Sequence, residues 1–170
     1  YKYWGLDRFK RNTWQGTFEE AAFNLEELLT NAFEYRLVSD VPVGIFLSGG
    51  IDSSLVSAIL KKKLNADLLN ITIGFNEDKF NEAPKAKRVS EQLGVRQITH
   101  HVNENEAQQT LLKFTDIYDE PFGDTSGIPT YILSKLARQH VKVALSADGG
   151  DEQFCGYETY ASYLKNYSLV

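Results

Sequence analysis

Residues 43–55 read Val-Gly-Ile-Phe-Leu-Ser-Gly-Gly-Ile-Asp-Ser-Ser-Leu and constrain the fold more than any other stretch. The first five are apolar and partly β-branched, as a strand buried on both faces requires. Ser48-Gly49-Gly50 then makes a turn of small residues, where backbone amides can approach a ligand without side chains in the way. Residues 51–64 place apolar side chains at Ile51, Leu55, Ala58 and Ile59 and carry Lys61-Lys62-Lys63, a basic tail suited to a helix C-terminus. Strand, glycine turn and helix start together build an anion site for phosphate groups. The lysine of the GxxxxGK(S/T) loop is missing, so this is not that kind of nucleotide site. Asp52 stands one step into the helix instead. A carboxylate beside phosphates makes chemical sense chiefly with Mg²⁺ between them.

The rest of the chain alternates strands and helices, which predicts an α/β fold: a doubly wound, mostly parallel sheet with helices on both faces. Residues 17–38 form an amphipathic helix with Phe18, Ala21, Ala22, Leu25, Leu28, Leu29, Ala32 and Phe33 along one broad stripe. Thr17 and Glu20 give it a capping box. Strands are expected at 43–47, 68–75, 95–102 and 141–145. Helices are expected at 51–64, 81–93 (ending at Gly94), 104–118 and 130–140, with a loop-to-helix junction over 125–130. Tyr160, Tyr163, Leu164 and Tyr167 recur at helical spacing near the C-terminus. The fourth strand runs directly into Ser146-Ala147-Asp148-Gly149-Gly150-Asp151. Both glycine-rich acidic loops then leave carboxyl ends of one parallel sheet, the edge at which such sheets bind ligands. The plainer reading of Asp148 and Asp151, as acidic caps of a solvated helix start, stands beside this one.

The SGGIDSS segment resembles the PP-loop of the N-type ATP pyrophosphatases, which cleave ATP between the α- and β-phosphates. Within that superfamily, residues 144–157 (ALSADGGDEQFCGY) are similar to the second signature of the asparagine synthetase C-terminal domain. Tyr3-Trp4, Ile73-Gly74-Phe75 and residues 119–137 (DEPFGDTSGIPTYILSKLA) extend the resemblance, in order, over nearly the whole chain. The resemblance implies ATP as substrate with Mg²⁺. It implies nucleotide and pyrophosphate contacts from Leu47, Ser48, Gly49, Gly50, Asp52, Ser53, Ser54, Ile73, Ser146 and Ala147. Asp52 and Asp151 are the implied Mg²⁺ ligands, and Asp148 the catalytic position tied to forming the aminoacyl-adenylate.

Ala147 stands where the family usually has Gly, which would matter if that backbone needed a positive φ. Asp148 is the shorter of the two acids found at its position, and Gln153 and Cys155 replace a more apolar and a smaller residue. Cys155 reads as a small packed residue beside the loop rather than a nucleophile. His100-His101 end a strand and His140 a helix, so surface or capping roles are expected of them. Asp119-Glu120-Pro121 and Asp124 match a family loop that would brace the site.

With 170 residues, 42% of them hydrophobic, the chain supports one core. Residues 17–170 read as a single synthetase domain, truncated at both ends, behind a connecting segment at 1–16. A net charge of −5 gives no basic footprint for nucleic acid. No apolar run approaches membrane length, no signal peptide is present, and the single cysteine suits a reducing cytoplasm. The implied reaction turns aspartate and ATP into β-aspartyl-AMP, which ammonia then converts to asparagine. That ammonia would come from glutamine through an N-terminal glutaminase domain, and a homodimer fits the family. Two alternatives stay open: another PP-loop ligase, of the β-lactam synthetase or polysaccharide-cluster amidotransferase kind, and a nucleotide-binding module inactive as a fragment.

Overall fold

The computed structural model describes Gly5, residues 13–120 and residues 123–167. Tyr3, Trp4 and Pro121 lie outside the described residues, as do the side chains of Leu164 and Tyr167. Four parallel strands, β1 (Val43–Phe46), β2 (Leu69–Phe75), β3 (Arg96–Val102) and β4 (Val143–Leu145), form one sheet in the order β3-β2-β1-β4. The chain steps outward from β1 to β3, then returns to lay β4 on the other side of β1. The order therefore reverses between β1 and β4, and a crevice opens at their carboxyl ends.

Alternation along the strands sorts the core onto two faces. On one face Ile45 packs with Val56 and Leu60 of α2 (Ile51–Lys62), and Phe33 of α1 (Phe18–Arg36) and Leu93 of α3 (Ala83–Leu93) close over them. On the other, Leu69 and Ile71 pack with Ala137, Leu133 and Leu136 of α6 (Gly127–Ala137). Helices thus cover both faces, as expected of a doubly wound sheet. Asn70, which faces α2 and α3, is fully buried; Ser57 donates to its carbonyl at 3.2 Å and its amide donates to Ser90 at 3.0 Å. That chain satisfies all three polar groups and pins both helices to β2.

Several predicted elements differ in extent. The capping box of Thr17 and Glu20 is present, yet the stripe on α1 is only partly covered, with Phe18 82% and Leu28 67% exposed. An apolar groove remains between α1 and α2, lined by Ala22, Leu25, Leu29, Leu55, Ala58 and Ile59. The predicted helix at 104–118 is two, α4 (Glu104–Leu111) and α5 (Phe114–Ile117). It breaks where Lys113 leaves helical geometry at φ −102°, ψ 8°, its N–H bonded to Thr110 instead of continuing the ladder. Helix α6 begins three residues before the predicted 130, because Pro129 in its first turn lacks only an N–H that would have no partner there. β4 keeps only three of its five predicted residues and forms the sheet edge. Two further helices, α7 (Gly150–Phe154) and α8 (Glu158–Tyr167), complete the described chain. None of the helices among the described residues is long and apolar enough to cross a membrane.

Candidate functional site

The turn after β1 is organised by its own serines. The Ser48 and Ser53 hydroxyls lie 2.9 Å apart, Gly50 N–H donates to Ser48 Oγ at 3.1 Å, and Ser48 N–H to Ser53 Oγ at 3.3 Å. These two hydroxyls therefore hold the loop before they can serve a ligand. If Ser53 is the donor within the pair, Ser48 accepts twice and its own proton is left for an incoming oxygen. The N–H groups of Gly49, Ile51, Asp52 and Ser53 make no hydrogen bond with another described residue, as the start of α2 dictates. Ser54 Oγ is buried and has no partner among the described residues. Four unpaired amides and one orphan hydroxyl at a helix N-terminus fit an anion.

Gly49 is fixed by its surroundings. Its φ is +82°, and a Cβ there would fall 2.5 Å from the Ala86 nitrogen and 2.7 Å from the Lys85 carbonyl carbon in the first turns of α3. At the root of the loop, Leu47 is buried, its N–H bonded to Ile71 and its carbonyl to the Thr72 hydroxyl at 2.8 Å. The Gln97 side-chain amide donates to the same Thr72 oxygen at 2.8 Å. An amide N–H can only donate and a carbonyl can only accept, so the single Thr72 proton is committed to Leu47. Ile73 follows on β2 with its side chain on the opposite face of the sheet from Thr72.

The second loop meets the first. Gly150 lies so close to Asp52 that a Cβ on it would fall 2.5 Å from Asp52 Oδ2 and 2.6 Å from Cγ. Asp52 and its neighbour across this contact, Asp151, are half-buried, and a Cβ on Gly156 would collide with the Asp151 carboxylate. Asp148 is exposed and takes a hydrogen bond from the Ser146 hydroxyl at 2.8 Å. The left-handed backbone of this loop falls on Gly149, φ +91°, while Ala147 has no positive φ and packs against the core. Alanine is therefore no obstacle at 147. Cys155 does take a left-handed φ of +58° at the end of α7 and is exposed. This corrects the expectation of a packed residue: the turn at the helix end carries it outward.

Asp148, Gly149, Gly150 and Asp151 also line a cavity of about 560 Å³ with Tyr118, Asp124, Ser126, Thr130, Glu152 and Tyr157. Tyr118, Asp124, Ser126 and Thr130 thus bring a second stretch of chain to the cavity. Ser126 N–H donates to Asp124 at 2.8 Å, and this bond holds the carboxyl below the usual carboxylate range. Tyr157 donates to Glu152 at 2.7 Å, which pushes the phenol up to about 12 and the carboxyl down. His100 pairs with Glu106 at 2.8 Å, and the His101 ring lies against Gly74.

Asp52 and Asp151, carboxylates of the two loops that meet at Gly150, suit Mg²⁺, which binds through one or two carboxylates plus substrate phosphates. Among the described residues no group of three or more His, Cys, Asp or Glu could form a metal cage by itself. The donor set fits a cation brought in with a nucleotide. Thr72, Gln97 and Tyr118 carry no sequence motif. The one signal for Thr72 was a polar residue alternating with apolar ones inside a buried strand, as at Asn70.

The family model for asparagine synthase matches residues 24–169. Over 161 residues, 94% of the chain, the sequence is 41% identical to a Methanocaldococcus jannaschii protein described provisionally as a glutamine-hydrolyzing asparagine synthetase. Over 140 residues, 82% of the chain, it is 37% identical to a glutamine-hydrolyzing asparagine synthetase of Bacillus subtilis. The chain spans 30% of the first relative's length and 22% of the second's. Among solved structures it is similar to the NH3-dependent NAD synthetase of Campylobacter jejuni, with a TM-score of 0.51 and 17% identity. That likeness covers 84% of this chain and 61% of that one, and speaks to the α/β fold alone. With both signature loops meeting at one sheet edge and a match over nearly its full length, the chain belongs to the asparagine synthase family.

Proposed function

We propose that the complete polypeptide carrying this chain is an ATP-dependent carbon–nitrogen ligase that makes asparagine. The observation that carries the reading is the contact of Gly150 with the Asp52 carboxylate, which joins both signature loops at the β1/β4 crevice. A side-chain carboxylate oxygen of aspartate attacks the α-phosphorus of ATP, the α–β phosphoanhydride bond breaks, and pyrophosphate leaves. Ammonia then attacks the acyl carbon, the bond to AMP breaks, and a proton is lost from nitrogen.

The residues divide this work. Gly49, Ile51, Asp52 and Ser53 offer free N–H groups, and Ser48 and Ser54 hydroxyls, to the departing pyrophosphate as its charge develops. Leu47, Ile73, Ser146 and Ala147 would line the nucleotide. Asp52 and Asp151 would hold Mg²⁺, which when bound neutralises phosphate oxygens and eases departure of the leaving group. Asp148, aimed by Ser146, reaches into the cavity where the acceptor would be activated. Ammonia supplied from glutamine by an N-terminal glutaminase domain would complete the reaction. The test is aspartate-dependent exchange of pyrophosphate into ATP by the complete protein with Mg²⁺. Asp52→Asn should abolish exchange with the fold intact. Exchange that needs a different acceptor would reassign the substrate, and unchanged exchange in the mutant would remove the site.

A further inference from the structure

We propose that Lys85 is a polyphosphate-binding residue of this site, supplying the positive charge that neither signature loop contains. The inference rests on the ATP-binding reading above. The atoms nearest a Cβ on Gly49 or Gly50 belong to Ala86, Lys85 and Ser48, and of these residues Lys85 alone is cationic. Its own Cβ lies 2.8 Å from the position a Gly49 Cβ would take, so the lysine stem starts against the phosphate loop.

Direction follows from the fold. Helix α3 leaves the carboxyl end of β2, so its first turns lie at the same sheet edge as the loop. Side chains on a helix tilt toward its N-terminus, and Lys85 is the third residue of α3. Its stem therefore leans toward the ligand edge. Lys85 is also exposed and shares no ion pair with a described carboxylate, whereas Lys87, two residues on, pairs with Glu91 at 3.9 Å.

The electrostatics of the crevice call for such a group. Asp52, Asp148, Asp151, Glu152 and Asp124 gather at or beside it. A Mg²⁺ ion held by Asp52 and Asp151 has its charge balanced by those two carboxylates. The polyphosphate is then left to the amides of α2 and to a side-chain cation within reach of them. A flexible lysine suits a phosphate that changes position as pyrophosphate departs.

Calorimetric titration of the complete protein with Mg·ATP, and separately with Mg·pyrophosphate, tests this. Lys85→Gln should weaken both roughly tenfold and make binding less salt-dependent, with an unchanged melting temperature. Lys85→Arg should recover most of the affinity, and Lys87→Gln should bind as wild type does. In pyrophosphate exchange the Lys85→Gln loss should appear in KM for ATP and leave KM for aspartate alone. Wild-type affinity in Lys85→Gln, with binding weakened in Asp52→Asn, overturns the lysine assignment and leaves the nucleotide site standing. A wild-type protein that binds neither ligand overturns both.

Discussion

Gly49→Ala should harm this protein in two separable ways, and a second glycine separates them. An alanine at 49 must adopt a φ near +82°, which disfavours an L-residue by about 1–2 kcal/mol. Reduced freedom of the unfolded chain returns roughly 0.4–1 kcal/mol of that. The new methyl would also stand 2.5 Å from the Ala86 nitrogen and 2.7 Å from the Lys85 carbonyl carbon. Those are backbone atoms of a helix packed on the sheet, so the loop must move instead, and overpacking of this kind costs about 1–3 kcal/mol. Gly94, at the end of α3, has φ +62° and nothing within 4 Å of a Cβ.

Gly94→Ala therefore carries the backbone penalty alone, about 1 kcal/mol or less, and Gly49→Ala roughly 2–4 kcal/mol. At this chain length the difference corresponds to a melting-temperature gap on the order of 5–10 °C. Thermal unfolding of both variants measures the gap. Mg·ATP titration should show binding retained in Gly94→Ala and lost in Gly49→Ala, because only the second displaces the phosphate loop. Equal melting temperatures would mean that the close approach of the loop to α3 has no energetic consequence.

Gly150→Ala, which would place a methyl on the Asp52 carboxylate where the backbone needs no positive φ, should weaken Mg·ATP binding more than tenfold while shifting stability little; calorimetry beside thermal unfolding reads both. Asp148→Ala should lower single-turnover adenylation far more than thermal stability, since the carboxylate is exposed and its removal opens no core cavity. Thr72→Val keeps the shape but leaves the Leu47 carbonyl and the Gln97 amide unpaired; a loss of about 1–3 kcal/mol is expected by chemical denaturation, with much of it recovered in Thr72→Ser.

The features legible in the sequence are those set by short-range chemistry. The strand at 43–47, its glycine turn and the following helix are specified within thirteen residues, and the capping box within four. Asp52 could be singled out because a carboxylate at a phosphate-type helix start has few other uses. What escaped were facts of tertiary packing. Nothing local says that Gly49 lies against Lys85, some 36 positions on, or that Gly150 lies on Asp52. The break between α4 and α5 escaped because the apolar spacing runs through it, while the Thr110 contact that ends the ladder follows no period. The concern over Ala147 came from a family pattern, and the backbone answers it: Gly149 takes the left-handed turn.

The two halves of the site are built to different standards of rigidity. The phosphate loop hangs from a strand paired on both sides, and Leu47, Ser53 and Thr72 around its root are buried. Its hydroxyls and carbonyls are tied down by Ser48, Ser53, Thr72 and Gln97. The second loop leaves a three-residue edge strand and enters a five-residue helix with no buried residue. A short edge strand followed by a helix without a buried residue is a segment that opens at lower free energy than the loop beside it. Asp148 and Asp151 ride on that segment and Asp52 on the fixed one. The contact between Gly150 and Asp52 is therefore where the less packed acidic loop meets the fixed one. A ligand that engages both, as a nucleotide with its cation would, has only the second loop to order. On the proposed reading, the rigid half would hold the leaving pyrophosphate with fixed donors and the yielding half would admit the acceptor.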